Sequence, residues 1–435
     1  MEDIQTTKVV PYPPKIGGDE GRLAQIAHLL RNAKAPLIVI GKGAAYARAE
    51  SWINALIEKS QIPFLPTPMG KGVLPDSHPL NTASARSTAL READVVLLLG
   101  ARLNWILHFG FPPKWSPDVQ FIQIDICPTE IGSHASSSSL GIVGDINSVI
   151  PQLLCALGTW SYNPSVSSYT THLSVSKSRN EALASKKGSE LKLPMTYSLV
   201  FTTIRETLHT LSPPTSGGIV YVSEGANTMD ISRSIFPVSY PRLRLDAGTY
   251  ATMGVGLGYA IAAHEAYNGP AHEAYNGPPH EASPAPTGPK KIVALEGDSA
   301  FGFSAMEIET MARYNMDILI FVLNNGGVYH GDSDSADEWL AMQRNTTSGQ
   351  QSSGGLRSTS LGFEVGYEKI AQACGGLGFS VRTVEELEKA TREGFQSERV
   401  CVVNVMIESG KGGKLEFGWQ GGGEKKKGKG KEAKL

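Results

Sequence analysis

Cysteine is scarce in this sequence: four in 435 residues, at Cys127, Cys155, Cys374 and Cys401. They stand far apart, without the paired spacing of a zinc site or the density of a disulfide scaffold, so a reducing compartment and inert thiols are expected. No apolar run approaches the roughly 20 residues needed to cross a bilayer, which predicts no membrane span. The opening MEDIQTTKVVPYPPKIGG is too polar for a secretory leader. An excess of either charge is also missing. Forty Lys and Arg against 42 Asp and Glu leave a net charge of −2, which argues against nucleic acid as a partner. What is present is an ordinary globular composition, 41% hydrophobic and 19% charged, at a length suited to two or three domains.

Residues 1–20 hold Pro11, Pro13, Pro14, Gly17 and Gly18 and read as linker. From 21 to 157 helical and strand patterns alternate: a helix at 22–32, a strand at 35–40, a Gly41-Lys42-Gly43 turn, a helix at 44–59, and strands at 63–66, 94–99 and 119–126. That alternation predicts an α/β domain with a doubly wound parallel sheet, Rossmann-like in form. The stretch 158–192 is rich in Ser, Thr and Lys and reads as a connection with a helix near 176–184. A second doubly wound α/β domain is expected over 193–410. Its strands lie at 219–222, 244–246, 291–295, 317–323, 379–382 and 400–406, and its helices at 197–209, 253–263, 367–374 and 383–395. Residues 333–360 are polar and read as mobile, and 411–435 as a basic flexible tail.

The most informative stretch is EGDSAFGFSAMEIETMARYNMDILIFVLNNGGVYHG, residues 296–331. Phe303, Met306, Thr310, Met311 and Tyr314 recur at helical spacing between two aliphatic strands. A strand, a crossover helix and a second strand form a parallel βαβ unit, which brings Asp298 and Asn325 to one edge of the sheet. One carboxylate, one amide oxygen and a backbone carbonyl beyond the double Asn are few, hard donors, suited to magnesium completed by phosphate oxygens and water. The Gly297-Asp298-Ser299 turn offers N–H groups to the same phosphate at a helix start, and the helix start at 253 is expected to face it as well. Either dipeptide alone is common turn chemistry; the single helix and strand between them give the pair its specificity.

These words resemble the thiamine diphosphate motif, GD followed by some two dozen residues and NN. Together with SEGANTMDISR (223–233) and RLDAGTYATMGVGLGYAIAA (244–263), they resemble the peroxisomal 2-hydroxyacyl-CoA lyases and the related oxalyl-CoA decarboxylases over nearly all of residues 30–408. The resemblance implies a lyase that cleaves a 2-hydroxyacyl-CoA to formyl-CoA and a shortened aldehyde with thiamine diphosphate and Mg2+. Residue by residue, it implies Asp298, Asn325 and the Gly327 carbonyl at the metal. Gly297, Ser299 and Ala300 would meet the diphosphate, with Met253 as the wedge that bends the cofactor and the Ala251 carbonyl near its aminopyrimidine. Asn227 and Tyr329 would lie beside the cofactor. Arg233 is expected toward a CoA phosphate, and Gly41, Gly43, Arg102 and Asp125 toward CoA or an adenine nucleotide. Trp105, His108 and Phe109 read as core or interface residues.

The resemblance also implies an N-terminal pyrimidine-binding domain that carries an activating glutamate. No segment here matches it, so no catalytic residue is expected within this chain. Weak cofactor binding and little lyase activity by itself are expected, with a homo-oligomer or a chain supplying that domain as partner. Two alternatives are an oxalyl-CoA decarboxylase and a non-catalytic cofactor-binding subunit. The repeat HEAYNGPA/HEAYNGPP/HEASPAPTGP at 264–290 places His264, His272 and His280 at fixed spacing, yet a Gly or Pro in every unit favours a dispensable surface loop over a metal tract. The last three residues, Ala433-Lys434-Leu435, are a near variant of the Ser-Lys-Leu address read by the peroxisomal import receptor; the alternative location is the cytoplasm.

Overall fold

The computed structural model describes residues 14–135, 137–269, 286, 288–348 and 354–411. Two parallel sheets organise them. The first contains β1 (Pro36–Ile40), β2 (Phe64–Pro66), β3 (Val95–Leu99), β4 (Gln120–Asp125) and β5 (Gly141–Val143), in the order β2-β1-β3-β4-β5. Every neighbouring pair is parallel, so both faces are covered by crossovers, and β1 and β3 are buried at every position. The crossover and flanking helices are α1 (Glu20–Asn32), α2 (Lys42–Tyr46), α3 (Glu50–Ser60), α4 (Arg86–Glu92), α5 (Ile146–Leu157) and α6 (Ser168–Ser189). Alternate strand residues serve opposite layers. Ile38, Ile40, Leu97 and Leu99 pack with α1, α3 and α5, while Leu37, Val39, Val96 and Leu98 pack with Ala89 of α4 and with Tyr169 and Leu173 of α6.

Two expectations change in this half. The helix expected over 44–59 is split into α2 and α3, because Arg48 adopts a left-handed φ of 51° and the Ala49 N–H turns back to the Ala44 carbonyl at 3.2 Å. The connection at 158–192 is dominated by the 22-residue α6, longer than its Ser- and Thr-rich composition suggested. Ser167 caps it through the Thr170 N–H, and Tyr169 and Leu173 bury one stripe.

The second sheet contains β6 (Ile219–Glu224), β7 (Arg244–Asp246), β8 (Lys291–Gly297), β9 (Ile318–Asn324), β10 (Leu377–Val381) and β11 (Cys401–Met406), in the order β10-β11-β9-β8-β6-β7. Its helices are α7 (Tyr197–Leu211), α8 (Ala226–Ile235), α9 (Gly256–Asn268), α10 (Asp298–Ser304), α11 (Glu307–Arg313), α12 (Ala336–Thr347), α13 (Glu368–Ala373) and α14 (Val384–Gln396). The three central strands β6, β8 and β9 are buried throughout. At about 1.5–3 kcal/mol for each large apolar side chain fully buried, these strands form the stable floor beneath the loops at their carboxyl ends.

The helix expected between β8 and β9 is two short helices, α10 and α11. Phe301, Ile308 and Met311 point into the core, whereas Phe303, Met306 and Tyr314 are 68%, 68% and 63% exposed. The repeat does not begin in a connection, since His264 to Asn268 form the last turns of α9. Asn268 then clasps Lys290, its amide donating to the Lys290 carbonyl and accepting from the Lys290 N–H, both at 2.8 Å. His272 and His280 lie outside the described residues, as does the tail from 412 onward. Within the stretch expected to be mobile, α12 forms behind a Ser335 cap. None of its side chains is buried, which is why no apolar stripe announced it.

The two halves meet along 71–76 and 233–246. Asp76 and Val238 exchange bonds, N–H to carbonyl at 3.0 Å and N–H to carboxylate at 2.8 Å. Lys71 donates to the Arg233 carbonyl at 2.6 Å and pairs with Asp76 at 2.8 Å.

Candidate cofactor site

β8 and β9 are adjacent and parallel, with Gly297 beside Leu323, so Asp298 and Asn325 emerge at the same edge of the sheet. Asp298 opens α10 and is 3% exposed. Its Oδ1 accepts from the Ser299 N–H at 2.7 Å, and its Oδ2 from the Gly326 and Gly327 N–H groups at 2.8 and 3.2 Å. Burial nonetheless pushes its carboxyl up to about 6, against the pull of these N–H groups. A carboxylate so confined, whose hydrogen-bond partners among the described residues are backbone N–H groups, is one that a bound cation would relieve.

Asn325 holds the opposing loop. Its Oδ1 accepts from the Gly327 N–H at 3.2 Å and its Nδ2 donates to the Tyr329 carbonyl at 3.0 Å. The same carbonyl accepts from Nδ2 of Asn227, in the first turn of α8, at 2.8 Å, and Tyr329 itself is left-handed with φ 69°. Gly327 bridges Ser360 through its neighbours, the Val328 N–H to Thr359 at 2.9 Å and the Leu361 N–H to the Gly326 carbonyl at 3.0 Å. The bridge therefore leaves the Gly327 carbonyl out. Asn227, Asp298, Asn325, Gly327 and Tyr329 are thus brought together. Gly225, at φ 96°, lets the α8 turn close on the Gly297 turn, since a Cβ there would stand 3.2 Å from the Gly297 nitrogen. Beside them, Ala300 is buried and Ser299 half-buried.

Asn324 turns the other way, a role the sequence did not announce. Its amide donates to the Val365 carbonyl at 3.1 Å and to Asn404 Oδ1 at 3.2 Å, and Asn404 donates to Val365 at 2.8 Å and to Glu368 at 2.7 Å. This buried network fixes the end of β9 just before Asn325.

The 246–256 segment borders the same edge. Ala251 adopts a left-handed φ of 52°, Tyr250 is 82% exposed and Met253 40%. The start of α9 does not offer its N–H groups outward as expected. The Glu224 carboxylate takes them, accepting from Gly254 and, at 2.5 Å, from Gly256. Glu224 pairs in register with Glu296 across β6 and β8. Burial, and then the Glu224 charge, hold the Glu296 carboxyl well above the usual range. Burial also raises Glu224, but the N–H groups of Gly256, Gly254 and Val255 oppose it, so Glu296 is the neutral member of the pair.

The central-domain candidates gather less chemistry. Gly41 and Gly43 are required by packing, because a Cβ would stand 2.0 Å from the Gly100 oxygen and 2.9 Å from the Gly100 Cα. Asp125 accepts from the Cys127 N–H at 2.9 Å as a turn residue, and Arg102 pairs with Glu130 at 3.2 Å. Lys42 lies near Arg102, Asp246 and Glu130, its ammonium pKa lowered first by burial and then by Arg102. Arg233 sits in the last turn of α8, roughly 9 Å along the helix from Asn227. It pairs with Asp230 at 2.9 Å and faces the junction between the halves. Trp105 and Phe109 are half-buried, and Phe109 packs against His134 with ring centroids 5.0 Å apart.

Among the described residues no group of three or more His, Cys, Asp or Glu could hold a metal. The oxygen groups brought together here are the Asp298 carboxylate and the Asn325 amide, few and hard, which suits a cation that shares its coordination with a phosphate.

Comparison with known proteins gives the same arrangement in order along the chain. Residues 23–153 match the family described as thiamine pyrophosphate enzyme, central domain, and residues 224–405 match the thiamine pyrophosphate enzyme, C-terminal TPP binding domain. The chain is 44% identical over 400 residues to 2-hydroxyacyl-CoA lyase 1 of Mus musculus, covering 91% of this chain and 63% of that protein. It is 39% identical over 384 residues to oxalyl-CoA decarboxylase of Escherichia coli K12, covering 88% and 60%. Benzoylformate decarboxylase from Polynucleobacter necessarius shares the fold, with a TM-score of 0.64 at 16% identity over 93% of this chain and 68% of that one. The chain therefore spans less than two thirds of the length of these curated relatives.

Proposed function

This chain belongs to the thiamine pyrophosphate enzymes, whose central and C-terminal domains it carries, and from that premise we propose that it anchors the cofactor of a 2-hydroxyacyl-CoA lyase. The reaction is cleavage of a 2-hydroxyacyl-CoA to formyl-CoA and an aldehyde one carbon shorter. The observation that carries this reading is the convergence of Asp298, Asn325 and the Gly326-Gly327 backbone at one sheet edge, around a buried carboxylate that a cation would relieve.

In this reading Asp298, Asn325 and Gly327 hold magnesium. Gly297, Ser299 and Ala300, at the start of α10, receive the diphosphate. Ala251 and Met253 orient the aminopyrimidine end, and Asn227 steadies the Tyr329 loop through its carbonyl. Arg233 lies toward a phosphate of the acyl-CoA, and Gly41, Gly43, Arg102 and Asp125 toward its nucleotide portion. When bound, thiamine diphosphate supplies an electron sink for a carbanion, while the protein anchors it and keeps water away. The higher identity to the mouse lyase than to the bacterial decarboxylase favours 2-hydroxyacyl-CoA over oxalyl-CoA.

Tyr250, Met253, Phe303, Met306 and Tyr314 leave an exposed apolar surface on the cofactor half. It supports a partner domain, in a homo-oligomer or a second chain, that covers the ring end of the cofactor and brings the activating glutamate. The 435-residue chain alone is then a weak cofactor binder with little turnover. Incubating it with magnesium, thiamine diphosphate and a long-chain 2-hydroxyacyl-CoA is expected to release no formyl-CoA above blank. Sustained release by the isolated chain would refute the half-site reading. In a chain extended by a pyrimidine-binding domain, faster turnover of oxalyl-CoA would transfer the proposal to the decarboxylase.

A further inference from the structure

Residues 251–253 are all exposed, so the core does not set their position. Two holds at their flanks do. On one side Asp246 accepts from the Gly248 N–H at 3.1 Å. On the other, the buried Glu224 carboxylate accepts from the Gly254 and Gly256 N–H groups. Glu224 is the last residue of β6 and pairs in register with Glu296, two positions before Asp298. The contact is tight: a Cβ on Gly256 would stand 2.8 Å from Glu224 Oε2 and 2.3 Å from Glu296 Oε1. Gly254, at φ 82°, packs over Phe303 with 3.3 Å left for a Cβ. The two glycines thus let the backbone settle directly onto the carboxylate.

We propose that Glu224 is the positioning residue for the 251–253 segment, tying the Ala251 carbonyl and Met253 to the strand floor that also carries the Asp298 turn. This rests on the cofactor reading given above. A carboxylate is required because only it presents two acceptor oxygens to converging N–H groups; an amide turns an NH2 group against one of them. Glu224 touches neither metal nor diphosphate in this account, so its loss should be felt at the aminopyrimidine end alone.

The test compares magnesium pyrophosphate with magnesium thiamine diphosphate, each titrated calorimetrically into the full chain. Glu224→Gln is expected to bind pyrophosphate as the parent does and thiamine diphosphate roughly ten-fold or more weakly, the scale of one lost charge-assisted hydrogen bond. Combined with Met253→Ala, it should weaken thiamine diphosphate no further than the worse single variant, because both act through one segment. Equal weakening of both ligands, unchanged thiamine diphosphate binding, or additive losses in the double variant would each overturn the proposal. If Glu224→Gln does not fold, Glu224→Asp, one methylene short but still a carboxylate, carries the same comparison, and failure of both to fold assigns Glu224 to the core and ends the proposal. A parent chain that binds neither ligand overturns the cofactor reading itself, an outcome distinct from a defect confined to Glu224.

Discussion

Replacing Asp298 by Asn should stabilise the ligand-free protein at neutral pH while abolishing its response to magnesium. An unfolded Asp ionises near 3.8, whereas burial, opposed by the surrounding N–H groups, raises Asp298 to about 6 in the folded chain. Between those values the folded state holds more protons, so stability is full below pH 3.8 and falls as pH rises through 6. At about 1.36 kcal/mol per pH interval, the ionised carboxylate costs the fold about 3 kcal/mol at pH 7. Asn stays neutral but turns its NH2 toward some of the N–H groups of Ser299, Gly326 and Gly327, which returns about 1 kcal/mol or more. Asp298→Asn should therefore exceed the parent by about 1–2 kcal/mol at pH 7 in chelator and lose that advantage near pH 4. With magnesium and thiamine diphosphate the order should invert, since ligand stabilises only the chain that binds it. Urea unfolding from pH 4 to 8, with and without ligands, reads all of this. A parent chain whose stability is unchanged from pH 4 to 7, or a variant less stable than the parent at pH 7 in chelator, would refute the reasoning.

Two further outcomes can be checked separately. Asn404→Leu removes partners from Asn324 and from the buried Glu368 carboxylate. It should cost about 2–4 kcal/mol in urea unfolding and weaken magnesium pyrophosphate through the displaced end of β9; a loss below about 0.5 kcal/mol would remove the network from the account. A fluorescent protein ending in residues 421–435 should enter peroxisomes, and deletion of Leu435 should leave it in the cytoplasm; import without Leu435 contradicts that reading of the tripeptide.

The strands of both sheets, apart from the three-residue β5, were legible because parallel, doubly covered strands read as continuous aliphatic runs, as in the LIVI of β1 and the ILIFVL of β9. The placement of Asp298 and Asn325 followed from handedness alone. The helical face between them was misleading: Phe303, Met306 and Tyr314 have the spacing of a core stripe yet lie outward, and periodicity cannot tell a face meant for the core from one meant for a partner. The pairing of Glu224 with Glu296 was not legible because it depends on β6 lying next to β8, strands far apart in sequence. The N–H groups at the start of α9 looked available to a phosphate until that pairing placed a carboxylate beneath them. Asn324 and Asn325 look alike in sequence, and only the approach of β11 and α13 gives the first Asn to the core and leaves the second for the site.

In the proposed function this chain holds the diphosphate end of thiamine diphosphate through magnesium. Calorimetric titration of thiamine diphosphate into the 435-residue protein, with magnesium or with chelator, tests it most directly. Weak binding that requires magnesium and disappears in Asp298→Ala and Asn325→Ala is expected. Binding that persists in chelator or in either variant, or no binding with magnesium present, would contradict it.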